Sequence, residues 1–445
     1  MGAISRRILI AAVVACTGLS CFIAAADVRS ARPCLVRVAD LGRTDRDSEG
    51  LNDVFEVVST KDLIDARTNG VKAVLLRDLY SDAVQYYFHD LGTKTIFEWR
   101  GGSDVLQAAC DLGAHYIQTD RPEEAVAELS RLKARAAHPV AAAEFRIRDP
   151  FILADPATHT YYLYETASPY ALPAYERGVD VRTSTDLVRW SPPARVMTVP
   201  PARHARSVWA PEVHFWNGKY WLFATVTEYP SERVRHELMA EDASYRMSEL
   251  HRPGLRGVWV YASDSPQGPF RPVVDRAVTP DEWICLDGTL AVEDGRPHMI
   301  FCHEWLQTQF GRMDEAELSA DLTRFVEKPK ILFRAKASEI GLACNQVTDG
   351  CFIHRSKSGK LFMIWSSFVK ENGYSVLLCE SQSGRLAGPW TNHHVIYGRD
   401  GGHAMIFRTF DGKLKMALHG PNGRGMERLR LLSVDDTGDD LVVRE

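Results

Sequence analysis

The sequence predicts an all-β five-bladed β-propeller preceded by a small α/β domain, on three observations. From Glu144 onward, strand-like runs of aromatic and aliphatic residues recur with Asn-Gly, Asp-Gly or Ser-Gly turns between them. One unit, a short polar motif followed by a turn and an apolar strand, repeats five times, as radial blades with variable outer loops require. Before Ala137, short apolar runs instead alternate with helix-like ones, the pattern of βα units on a parallel sheet.

Taken in order, residues 1–26 read as an export signal. Arg6 and Arg7 open it, an apolar stretch from Ile8 continues to Ile23, and Ala24, Ala25 and Ala26 supply a cleavage site before Asp27. Val13-Val14-Ala15-Cys16 also resembles a lipobox, so a lipoprotein is the alternative. The apolar run is short for a membrane span and no later segment is apolar enough, so no integral span is expected in the mature chain. The expected location is secreted or periplasmic.

Residues 27–140 form the α/β domain, with about four βα units. Its strands are expected at Val54–Val58, Val71–Leu76, Lys94–Trp99 and Ala114–Gln118, and its helices at Asp104–Leu112 and Pro122–Arg135. Gly70, Gly92 and Gly113 stand where helices would end. Four such units amount to part of a TIM barrel.

Residues 141–445 form the propeller. Its strands include Thr160–Tyr164, Lys219–Phe223, Pro297–Phe301, Lys360–Trp365 and Lys413–Leu418. The polar motifs that open the blades are Arg148-Asp149-Pro150-Phe151, Trp209-Ala210-Pro211-Glu212, Leu286-Asp287-Gly288-Thr289, Thr348-Asp349-Gly350-Cys351 and Gly401-Gly402-His403-Ala404. Innermost strands run along the central channel, so these motifs are expected to converge on one funnel, with an acidic residue or His at the matching place in each. The charged stretch Glu228–Pro253 is expected to be an outer-blade insertion at the rim or plain solvated surface.

The formal charge of -5 shows no basic excess, which argues against nucleic acid and anionic membranes as partners. Nine cysteines leave seven after the signal, an odd number without metal-ligand spacing. Most sit in apolar runs as small core residues. One disulfide, Cys344 with Cys351, is a candidate.

The blade motifs resemble glycoside hydrolase family 43 over most of Glu144–Glu445. The likeness rests on Arg148-Asp149-Pro150-Phe151, Trp209-Ala210-Pro211-Glu212, and Asp287 with Phe301-Cys302-His303-Glu304-Trp305. It continues through Thr348-Asp349-Gly350, Trp365-Ser366-Ser367 and Gly402-His403. It implies an inverting hydrolase of plant-type polysaccharide or oligosaccharide, arabinofuranosidase- or xylosidase-like. Asp149 is then the general base, Asp287 the carboxylate that tunes and orients, and Asp349 the general acid. Such hydrolysis needs an ionised carboxylate to activate water and a protonated one for the leaving oxygen. A third carboxylate nearby raises the acid's pKa by like-charge repulsion. Trp209, Glu212, His303, Glu304, Trp365 and His403 are expected to bind substrate, although for each Trp blade-core packing is an equal reading. No cofactor is required; a structural Ca²⁺ in the channel near His403 is an option the resemblance raises, against a hydrogen-bonded core His.

One departure matters. The family usually has Glu where this chain has Asp349, a side chain one methylene shorter. Either the backbone compensates, or Glu304 or Glu212 takes the role, or the chain binds carbohydrate without cleaving it. Separately, Thr95–Trp99 through Gly113–Pro122 resembles the C-terminal end of glycerophosphodiester phosphodiesterase barrels. The His-Arg-Gly motif and acidic metal ligands of that family are not found, so the domain reads as a structural or docking appendage, with a phosphodiesterase as the alternative.

Overall fold

Strands of alternating or wholly apolar character joined by two-residue turns favour antiparallel hairpins, and the computed structural model consists mainly of these. It describes residues 138–444 other than 168–176, 201–204, 229–255 and 424–425. Before residue 138 it describes only the strands and helix named below and some of their neighbours. The rim insertion expected at Glu228–Pro253 therefore lies almost wholly outside the described residues.

Five antiparallel four-stranded sheets follow one another along the chain. Their innermost strands are Phe151–Asp155 (blade I), Ala205–Trp216 (II), Cys285–Glu293 (III), Asp349–Arg355 (IV) and Gly402–Arg408 (V). Within each blade the strands pair in chain order from the axis outward. Trp216 pairs with Lys219 and Glu293 with Arg296 across two-residue turns. In those turns Asn217-Gly218 and Asp294-Gly295 all take positive φ, the turn whose twist suits a hairpin.

The inner strands touch in the cycle I–II–III–IV–V–I. Side chains of adjacent blades fill the wedges between them, so a middle strand such as Leu361–Val369 is buried on both faces. One core cluster joins blades I and II to Met405, Phe407, Ala417 and Leu429 of blade V.

Among the described residues no strand of blade I is borrowed from the C-terminal end, or the reverse. The seam therefore closes through side chains and loop backbone. Glu427, whose side chain is only 1% exposed, receives Arg146 Nε at 2.9 Å and Arg148 Nη1 at 3.1 Å. The backbone N–H of Ile147 also donates to Glu427 O at 3.3 Å. Burial works against the Glu427 charge, but the two guanidiniums outweigh it and hold the carboxyl below its ordinary pKa. Arg148 thus serves inter-blade pairing.

Before the propeller, Val54–Val57, Ala73–Leu76, Lys94–Glu98 and Tyr116–Thr119 form a parallel ladder in chain order. Cys34–Arg37 adds an antiparallel edge beside Tyr116–Thr119, and the helix Pro122–Ala136 follows. Of the export-signal reading, only the pair Cys16–Thr17 with Ser20–Cys21 is described; the rest lies outside the described residues. Among the described residues no helix is long and apolar enough to cross a membrane.

The proposed disulfide does not form: Cys344 and Cys351 are both free thiols. Cys351 is buried, with Sγ 3.4 Å from Asp287 O, whereas Cys344 bridges to Val369.

Candidate active site

Every inner strand carries the same local device at its start. One residue takes a left-handed backbone, and in blades II to V the ladder slips by a residue there, as in a β-bulge. The left-handed residues are Asp149 (φ 49), Ala210 (φ 44), Asp287 (φ 54), Gly350 (φ 43) and His403 (φ 52). Asp149, Asp287 and His403 therefore occupy equivalent positions, with Ala210 and Gly350 filling the other two. Asp349 stands one residue earlier, in the place that Arg148, Trp209, Leu286 and Gly402 hold in the other blades. Glu212 stands two residues later. This corrects the expectation of an acidic residue or His at one matching place in all five motifs.

Gly350 is glycine for a steric reason. A Cβ there would lie 2.8 Å from both Cγ and Cδ2 of the His403 ring. The bare backbone lets the imidazole lie against it, with Nδ1 3.3 Å from Asp149 Oδ1 and 3.8 Å from Asp287 Oδ2. His403 N donates to Ser366 Oγ at 2.8 Å, which anchors the ring's own backbone.

Asp287 is almost wholly buried. Its N–H donates to Thr225 Oγ1 at 2.9 Å, and its Oδ2 accepts Gly350 N–H at 3.0 Å. Asp349 Oδ2 accepts the Tyr374 hydroxyl at 3.0 Å. Asp149 N–H donates to His419 Nδ1 at 3.2 Å, and His419 Nε2 faces Asn422 Oδ1 at 3.2 Å. Nδ1 is thereby an acceptor and Nε2 the donor, which makes His419 a neutral imidazole.

The electrostatics split the three carboxyls. Burial pushes each upward. At Asp149 the charges of His403, Arg148 and Arg146 more than cancel burial, and its pKa lies below the ordinary carboxylate value. At Asp287 burial prevails over His403, aided by repulsion from Asp149, and the pKa rises to about 6. At Asp349 burial and then the Asp287 charge raise it to about 8. His403 itself is disfavoured as a cation by burial, yet the surrounding carboxylates, Asp149 first, raise its pKa. His419 is driven down to about 3 by burial and by Arg148. Asp149 therefore favours its ionised form, His403 leans toward its cationic form, and Asp349 keeps its proton at neutral pH. Such a cluster offers a proton acceptor and a proton donor grouped about His403.

The sequence pattern of glycosyl hydrolases family 43 matches residues 138–433. The chain belongs to this family. An endo-arabinase structure from Bacteroides thetaiotaomicron VPI-5482 is 32% identical, with 67% of this chain and 97% of that chain covered and a TM-score of 0.56. An endo-1,4-beta-xylanase structure from the same organism is 20% identical, covers 68% of this chain and 95% of its own at a TM-score of 0.51, and shows the shared fold. Extracellular endo-alpha-(1->5)-L-arabinanase 1 of Bacillus subtilis strain 168 is 24% identical over 151 residues, 32% of this chain. The match spans 41% of that relative's length.

The other residues singled out from the sequence fall in different places. Glu304 pairs with Arg256 Nη1 at 2.8 Å, and the Arg256 guanidinium lies 4.5 Å from the ring of half-buried Trp209. Burial raises the Glu304 pKa despite that partner. Glu212 is buried and binds His214 Nε2 at 3.0 Å. His303 is buried, stacked on Trp283 at 4.4 Å with Nε2 2.7 Å from Gln307 Oε1, and burial lowers its pKa to about 4. Trp365 does not line the funnel: it is fully buried against Phe333 and His393 in the blade core, which corrects its expected role in binding substrate. Tyr374 and His419 were not singled out from the sequence. Each sits alone in an apolar strand, and only the Asn372-Gly373 turn before Tyr374 hinted at a funnel-facing position.

The Ca²⁺ raised by the resemblance does not fit a protein-made cage. Ca²⁺ takes six to eight oxygen ligands, whereas His403 Nδ1 is already engaged by two carboxylates. Among the described residues no group of three or more His, Cys, Asp or Glu is arranged to hold a metal ion. No step below is routed through a metal.

Proposed function

We propose that this chain hydrolyses α-L-arabinofuranosyl linkages in plant-type polysaccharide with inversion, and that it acts outside the cytoplasm. The observation that carries the mechanism is the packing of His403 Nδ1 3.3 Å from Asp149 Oδ1 and 3.8 Å from Asp287 Oδ2, which favours the charged form of Asp149, while burial and the Asp287 charge favour the protonated form of Asp349. Asp149 Oδ1 faces His403 and His419, while Oδ2 has no hydrogen-bond partner among the described residues. Oδ2 takes the proton of the attacking water. Asp349 protonates the departing glycosidic oxygen on the opposite face of the sugar, as the carboxyl pair of an inverting enzyme does. Burial, reinforced by the nearby Asp287 charge, keeps that proton on Asp349 up to about pH 8.

Two relatives whose names specify arabinan cleavage support the substrate class. The extracellular B. subtilis relative and the apolar N-terminal segment support secretion. For the N-terminal sheet, its four parallel strands in chain order support a docking module related to the end of a phosphodiesterase barrel. Reducing ends released from linear 1,5-α-L-arabinan, followed with product anomers by NMR, test the reading. Release of inverted product that Asp149→Ala lowers by about 10³-fold or more is expected, since base catalysis is lost. Arabinan binding without turnover by the wild type instead marks a non-catalytic carbohydrate-binding propeller.

A further inference from the structure

Tyr374 begins the third strand of blade IV, Gly373–Ser381, and is buried to 2%. Three neighbours hold its ring. His419 stacks on it at 5.6 Å and 21°, and Phe368 packs against it at 5.0 Å. Gly402 makes room for it: a Cβ at that position would overlap Tyr374 Cε1. From this slot the hydroxyl donates to Asp349 Oδ2 at 3.0 Å. Asp349 Oδ1 has no hydrogen-bond partner among the described residues, and the residue is only half-buried.

A neutral carboxylic acid has one carbonyl oxygen that accepts and one hydroxyl that donates. The phenol carries a single hydrogen, and Oδ2 is the acceptor it meets among the described residues. The acidic proton then belongs on Oδ1. We propose that Tyr374 is a positioning residue that fixes the proton of Asp349 on Oδ1 and presents that oxygen to the leaving group, offsetting the short reach of an Asp. The inference rests on the reading of Asp349 as the general acid.

In the step itself, the Oδ1–H proton passes to the glycosidic oxygen as the C1–O bond breaks. Water forms the new bond to C1 and gives its proton to Asp149. Asp349 ends as a carboxylate, and the Tyr374 hydrogen bond to Oδ2 becomes charge-assisted. It is therefore stronger in the transition state than in the ground state, which makes it an effect on kcat. Asp149 then releases the proton it took to solvent, and solvent returns one to Asp349.

The test compares wild type, Tyr374→Phe and Asp349→Asn on arabino-oligosaccharide and on 2,4-dinitrophenyl α-L-arabinofuranoside, whose leaving group needs little protonation. Phe keeps the ring packing, and thermal midpoints check that both variants fold. Tyr374→Phe is expected to lose about 10–100-fold in kcat on the oligosaccharide, with KM little changed and less than about 3-fold lost on the aryl substrate. Its basic limb should move to higher pH, because removing a donor disfavours the carboxylate. Equal losses on both substrates, no loss on either, or an unmoved basic limb would overturn the role of Tyr374. If Asp349→Asn itself shows no preferential loss on the oligosaccharide, the fault lies with the acid assignment instead.

Discussion

Replacing Gly350 with Ala tests how the cavity is built. Two costs follow from the structure. The residue has φ +43, a left-handed backbone that costs an L-residue with a Cβ about 1–2 kcal/mol. The new methyl would also lie 2.8 Å from two carbons of the His403 ring and 3.0 Å from Nδ1, and such overpacking costs about 1–3 kcal/mol. The crowded Nδ1 is the atom that faces Asp149 and Asp287, so moving the imidazole to relieve the overlap disturbs both contacts. Displacement of a catalytic group by about 1 Å can cost about 10²-fold in rate. Chemical denaturation should therefore show a loss of about 2–5 kcal/mol, and kcat/KM on arabinan should fall by about 10–100-fold. A variant as stable and as active as wild type would refute the close packing of His403 on the acid-bearing strand.

Glu427→Gln should weaken the seam, costing about 1–3 kcal/mol because two arginines lose their shared partner while keeping some solvent; an unchanged unfolding midpoint would show that the ion pairs do not close the ring. The Glu427 pKa is depressed in the folded state, so its contribution is present above the ordinary value of 4.5 and fades as pH falls below it. The difference between wild type and variant should shrink in that acid range. Asp287→Asn removes the charge that repels a proton-free Asp349, so the basic limb of kcat/KM should move to lower pH and the rate at neutral pH should fall by about 10-fold or more. A limb left in place would detach Asp287 from the acid's ionisation.

The blades were legible because hairpin turns are written in Asn217-Gly218 and Asp294-Gly295 and because apolar strands recur between them. The convergence of Asp149 and Asp287 with His403 followed from their place at the start of inner strands. The one-residue offset of Asp349 was not legible. The left-handed position is filled by Asp, Ala, Asp, Gly and His in turn, and a bulge leaves no composition of its own. Trp365 was misread for a related reason: a strand buried on both faces has no alternation to tell a funnel-facing residue from a core one. Tyr374 and His419 act through neighbours distant in sequence, His419 being 270 residues from the Asp149 N–H it accepts. The free thiols of Cys344 and Cys351 show that nearness in sequence does not bring two side chains together when one points into the wedge between blades.

The most direct measurement is the pH dependence of kcat/KM for arabinan cleavage by the wild type. A bell is expected, with an acid limb below the ordinary carboxylate range, set by Asp149, and a basic limb near 8, set by Asp349. Because these carboxyls titrate together, the two limbs belong to the cluster. A basic limb at an ordinary carboxylate value, near pH 4, would mean that Asp349 is already ionised at neutral pH and cannot be the proton donor.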